Sequence, residues 1–201
     1  MIETQTATPD SATDDPATDC ADCNESALFE SAARELYQTA ALFVGDESEA
    51  AQLVEQTVAC VEMDPCADGD AARGAASREL VRRALSRVAA LRPAQMRPST
   101  DADLGGCVET DDLSAAGITR QQFDYLLTGS GRTRMRQWLE GLAPVERSVF
   151  VLRAVLSRSG AESAHLLQQT TGDPWTEAHV SGAYRAALCS LASSLVHSTA
   201  S

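Results

Sequence analysis

The chain contains no lysine: all 16 of its basic residues are arginine, set against 29 acidic residues. Aromatic residues are almost as scarce, nine in 201, and none falls between Phe43 and Phe123. No apolar run reaches the roughly 18 residues that cross a bilayer, so no membrane insertion is expected. The amino-terminal stretch MIETQTATPDSATDDPATD has neither a basic start nor an apolar segment. It therefore does not read as a secretory signal, and a cytoplasmic protein is expected. Alternating Val, Ile and Thr runs are also missing, so no sheet is expected and the fold class reads as all-α.

Chemistry is equally thin. No glycine-rich loop follows a strand, and GSGR (Gly129–Arg132) reads as a linker turn. The nearest Cys/His combination, Cys189 with His165 or His179, gives no reason to expect hydrogen-bond reach. Neither an enzyme nor a cofactor is expected. The six cysteines are Cys20, Cys23, Cys60, Cys66, Cys107 and Cys189. In a chain without an export signal they read as reduced thiols rather than a disulfide framework. Cys20 and Cys23 have the spacing of a ligand pair, but no second tight pair accompanies them. No metal site is expected.

What the chain does have is charge sorted by segment. The net charge is −13, and residues 1–30 hold eight acids and no base. Residues 73–97 reverse this, with seven arginines against one glutamate, and residues 132–158 hold six arginines against two glutamates. Two basic islands thus lie in an acidic chain, which matters more for nucleic-acid binding than the sum. Residues 1–25, rich in Thr, Asp, Ala and Pro, are expected to be a disordered acidic tail.

Helical periodicity begins at Leu28 and runs through Leu36, Ala40 and Phe43 until Gly45. Asp46, with Glu49 three residues on, signals the start of a second helix burying Leu53, Val54, Thr57, Val58 and Val61. A third helix is expected over Ala75–Leu91. Its apolar half holds Leu80, Val81, Ala84, Leu85, Val88 and Leu91, and its opposite half Arg78, Arg82, Arg83 and Arg87. Such a face is either solvated or turned toward phosphates. Residues 93–131 read as an acidic linker carrying one helix, capped by Thr119 with Gln122. Helices over 132–140, 144–157, 161–169 and 176–196 follow. Pro144 suits a first helical position, and Val180, Tyr184, Ala187, Leu188, Leu191 and Leu195 make the last buried stripe.

Two segments then show a family resemblance. LYQTAALFVGDESEAAQLVEQT (Leu36–Thr57) is similar to the helix–Gly-Asp–helix segment of small sigma-70-family sigma factors of the extracytoplasmic-function type. WLEGLAPVERSVFVLRAVL (Trp138–Leu156), followed by ESAHLL (Glu162–Leu167), resembles the C-terminal domain of the same family. The resemblance implies two small helical domains, 26–92 and 132–201, joined by the linker 93–131, the second being helix-turn-helix-like. It implies a transcription initiation factor that binds core RNA polymerase through Glu49, Leu53, Glu55 and Gln56. Promoter DNA would be contacted through Arg78, Arg82, Arg83, Arg87, Ser181 and Arg185. An anti-sigma factor is a further partner the resemblance admits.

The chain also departs from the family pattern. Capturing unstacked bases needs aromatic side chains, and the third helix has none nearby. The turn QQTTGDPWTEAH (Gln168–His179) is longer than a helix-turn-helix turn usually is. Base readout needs Arg, Lys, Asn or Gln early on the recognition helix, where this chain has Glu177, His179, Ser181, Gly182 and Ala183. These departures define an alternative: a degenerate sigma-like interaction protein that has lost promoter opening and readout.

Overall fold

The computed structural model describes residues 25–61, 69–99 and 107–199, and these are all-α, with eight α-helices and no strand. Cys20, Cys23, Cys66 and nearly all of the acidic tail lie outside the described residues. Helix α1 (Glu25–Val44) ends at Gly45, which takes the left-handed φ of +76° that a side chain would strain. Asp46 then caps α2 (Glu47–Cys60), its carboxylate accepting the Glu49 N–H at 2.8 Å. A cap of this kind contributes about 1 kcal/mol. Helix α3 spans Gly69–Leu91, starting six residues before its expected beginning, and Pro93 opens a 3-10 turn just beyond it. The three helices pack on one another through Leu36, Ala40, Phe43, Leu53, Leu80 and Leu85. Two residues expected inside, Val58 and Leu91, are instead exposed at the ends of their stripes.

The segment expected to be a linker is substantially packed. Met96, Val108, Leu113, Ala116, Ile118 and Phe123 are all buried in it. A second 3-10 turn (Leu113–Ala116), capped by Asp112, leads to α4 (Arg120–Thr128). Thr119 and Gln122 close the reciprocal capping box at the start of α4. Helix α5 (Arg132–Gly141) follows, and Pro144 occupies the first turn of α6 (Pro144–Phe150). The same helical path continues as a π-helical stretch over Val151–Val155. Helix α7 (Gly160–Thr171) begins at a second capping box, Ser159 with Glu162, and ends at Gly172 in the left-handed conformation. Helix α8 (Glu177–Thr199) packs against both α6 and α7.

The two helical groups meet: α3 packs on α7, α1 touches α6, and the buried apolar residues form one continuous cluster. At the α1–α6 contact lies Arg147, only 8 % exposed. Its Nε has no hydrogen-bond partner, and burial pushes its proton affinity down, with Arg92 adding like charge. A Cβ placed on Gly45 would sit 3.0 Å from the Arg147 Nη1, so the guanidinium lies against the C-terminal end of α1. The helix dipole favours a cation there.

Cysteine usage differs from expectation. Cys107 and Cys189 form a disulfide across 82 residues of sequence, tying the start of the third described segment to α8. The reduced-thiol expectation rested on the lack of an export signal, and nothing local in the sequence marks two cysteines so far apart as a pair. Cys60 is free and exposed, as a reduced thiol would be.

Two stability outcomes are expected. Reductant, or Cys189→Ser, should lower the free energy of unfolding by about 2–4 kcal/mol, because an 82-residue loop is released in the unfolded chain. Urea melts with and without reductant measure this, and superimposable curves would contradict it. Arg147→Met should leave stability unchanged or raise it by about 1 kcal/mol, since an unpaired buried charge is replaced by an apolar chain of similar length.

Candidate functional site

The arginine face of α3 is present but largely engaged within the protein. Glu79 receives Arg82 Nη2 at 2.6 Å and Arg83 Nε at 2.7 Å. The hydrogen bond from Arg82, opposed by desolvation and aided by the hydrogen bond from Arg83 and the charge of both arginines, draws the Glu79 carboxyl down to about 2. Arg83 also donates to the Cys60 sulfur at 3.0 Å. Arg87 crosses to α2 and binds Glu49 Oε1 at 3.0 Å. Arg78 is exposed and makes no ion pair among the described residues. Because α3 is a continuous helix, these side chains lie one to two turns apart on a single ridge, as the spacing required.

Glu49 and Arg87 were assigned to different partners, polymerase and DNA, yet they hold each other. Leu53 is 5 % exposed and packs into the core of the three-helix group, so it supports α2 from beneath and presents no surface. Glu55 and Gln56 are exposed on the outer side of α2. Of the four residues assigned to a polymerase surface, these two are the ones open to solvent.

On α8, Ser181 is half-buried and Arg185 lies one turn further along. Arg185 Nε sits 3.5 Å from Asp111 Oδ1, an ion pair without hydrogen-bond geometry. An acid from the segment before α4 therefore neutralises the single arginine of this helix. The first turn of α8 carries Glu177 rather than a base. Neither Ser181 nor Arg185 is linked to the α3 arginines by any hydrogen bond or ion pair among the described residues.

A second cluster of arginines, absent from the expected contacts, lies away from α3. Arg120 at the start of α4, Arg153 in the π-helical stretch and Arg158 before α7 line a cleft with Tyr184 of α8. Arg120 donates to the Ala154 carbonyl at 2.8 Å, and Arg153 to the Arg158 carbonyl at 2.9 Å. Arg153 also stacks 5.4 Å from the centre of the Tyr184 ring. Arg153 and Arg158 belong to the second basic island, but Arg120 lies outside it in an acidic segment, so no motif announces the three together. Among the described residues, no group of three or more His, Cys, Asp or Glu side chains is placed to hold a metal ion. No helix among them is long and apolar enough to cross a membrane.

Comparison with known proteins adds no family: no family model, no curated protein and no solved structure matches this chain.

The Glu79 pair gives a pH signature. Its folded carboxyl titrates below the ordinary 4.5, near about 2. Its contribution is therefore full above pH 4.5 and is lost as pH falls toward 2. Glu79→Gln is expected to lower stability at neutral pH by up to about 1 kcal/mol, the scale of partly exposed ion pairs, and to flatten the acid limb of the stability profile between those values by the same amount. An unchanged acid limb would contradict the pairing.

Proposed function

We propose that this chain is a sigma-like transcription initiation factor that binds core RNA polymerase and directs it to promoter DNA. Its two small helical domains are residues 26–92 and 132–201, the second helix-turn-helix-like. The observation that carries this reading is the way α6, α7 and α8 assemble. A proline-started helix passes through a tight turn into a Ser159-capped helix, and α8 packs across both. Pro144, Phe150 and Leu152, three of the residues that carry the family resemblance, are all buried in that assembly. The exposed edge of α2, Glu55 and Gln56, then serves as the polymerase contact. The ridge of α3, led by Arg78 and Arg82, serves as the DNA contact.

A second reading has its own support: a degenerate sigma-like interaction protein without promoter readout. Arg185 is held by Asp111, and Glu177 opens α8, so this helix brings little positive charge to a major groove. With Glu79 and Glu49 bound to the α3 arginines, counterion release on DNA binding is correspondingly small.

Two measurements separate these. The full chain mixed with core polymerase is expected to co-elute on gel filtration, with Glu55→Arg weakening the association. Fluorescence anisotropy on a short duplex is expected to show affinity that falls with salt. Arg78→Ala combined with Arg82→Ala should reduce the slope of log affinity against log salt by about 1–2. Co-elution without salt-dependent DNA binding selects the interaction protein. Absence of both removes the sigma-like assignment.

A further inference from the structure

We propose that the cleft formed by Arg120, Arg153, Arg158 and Tyr184 binds the phosphate group of a small molecule, either inorganic phosphate or a phosphomonoester. The cleft measures about 440 Å³, within the range of small-molecule sites. Its walls come from the start of α4, the π-helical stretch with the turn after it, and the N-terminal end of α7, with α8 behind. This site is separate from the α2 edge and the α3 ridge, and it stands or falls independently of the sigma-like reading.

The donors are in place and incompletely used. Each arginine carries five N–H donors in a rigid fork; a carbonyl bond engages one donor of Arg153, while Arg120 uses one donor on the Ala154 carbonyl and sets its Nε 3.1 Å from Asp124 Oδ1, which leaves its Nη2 side open. The Nε atoms of Arg153 and Arg158 are buried with no hydrogen-bond partner. Tyr184 is 3 % exposed, lines the cleft, and its hydroxyl makes no hydrogen bond among the described residues. Burial also pushes this phenol up to about 12, so it remains a proton donor at neutral pH. Forked guanidiniums beside a hydroxyl donor match the oxygens of a tetrahedral phosphate. The N-terminal end of α7 adds its partial positive charge.

Carboxylates also border the cleft, and each already has a task. Asp112 Oδ1 accepts the Ser114 N–H at 2.7 Å, and Glu162 Oε2 accepts the Ser159 N–H at 2.8 Å. Asp111 faces Arg185. Glu162 Oε1 also lies 3.8 Å from Arg158 Nη1, a long contact that a phosphate oxygen would have to displace, while the Nε donors of Arg153 and Arg158 stay unbonded; together the acids oppose a long polyanion passing over the rim. That repulsion selects a small phosphate over the backbone of a duplex.

Isothermal titration of the full chain with inorganic phosphate and with adenosine monophosphate, at fixed ionic strength set by chloride, tests the site. Saturable one-to-one binding of at least one of them is expected. Arg153→Gln and Tyr184→Phe should each weaken it at least tenfold. Arg120→Gln, at a side chain half open to solvent, should weaken it without disturbing the fold as followed by circular dichroism. Tighter binding of the monophosphate identifies a nucleotide-like ligand, and equal binding identifies the phosphate alone; both support the site. No saturable heat with either probe, or wild-type affinity in both Arg120→Gln and Arg153→Gln, overturns it. So does displacement of bound phosphate by a stoichiometric short duplex.

Discussion

Phe150 is wholly buried, and three other aromatic rings close around it. The edge of Trp138 lies 4.9 Å away between centroids, Phe123 is at 5.7 Å, and Tyr184 at 5.9 Å. In a chain with nine aromatic residues, four are gathered at this point. Each ring comes from a different helix, so one cluster fixes α4, α5, α6 and α8 together. Edge-to-face pairs contribute roughly 0.5–1.5 kcal/mol beyond the area they bury. The Trp138 Nε1–H also donates to Ser190 Oγ at 3.1 Å, which pins α5 to α8. Everything that borders the arginine cleft depends on this cluster. Tyr184 is held by Phe150, Arg153 stacks on Tyr184, and α4 brings Arg120 because Phe123 is anchored.

A second regularity concerns charge. The basic islands of the sequence lie among acids supplied by other elements, Glu47 with Arg136 and Glu49 with Arg87, and the lone Arg185 of α8 is likewise met by Asp111. Each pair is at least partly open to solvent, and such pairs are individually worth only about 0–1 kcal/mol. They lower the outward positive field without locking it away. A phosphate or carboxylate from a partner competes with them at small cost.

The legible part of this fold was local. Asp46, Thr119 with Gln122, and Pro144 obey rules that act within four residues, and the helices begin where those residues sit. Ser159 with Glu162 follows the same rule. It was hidden by Gly160, which reads as a turn residue although the helix starts there. Gly69 and Gly74 hid the start of α3 in the same way, since glycine weakens a helix without preventing one held by packing. What distance in sequence conceals is the pairing of Cys107 with Cys189 and the burial of the supposed linker. Composition made residues 93–131 look solvated, yet Phe123 and Met96 are sunk in the core because α4 and the preceding turns lie across the helices. The α3 arginines were visible as a stripe. That Glu79 and Glu49 would occupy them depends on side-chain reach, to which periodicity is blind.

Arg147 marks the point where the continuous apolar cluster is interrupted. Its guanidinium is buried at the α1–α6 contact, its Nε without a hydrogen-bond partner and no ion pair formed among the described residues, and removing such a charge from water costs several kcal/mol. The C-terminal end of α1, where a glycine leaves room for the guanidinium, returns up to about 2 kcal/mol. The Phe150 cluster, two side chains away from Arg147 on the same turn of helix, carries no such penalty. The seam between α1 and α6 is thus the least favourable part of the interior, whereas α3 against α7 joins the same two groups through apolar packing. If the halves separate when a partner binds, the α1–α6 seam yields first, because opening it rehydrates the buried Arg147 charge, which Glu140 offsets only in part.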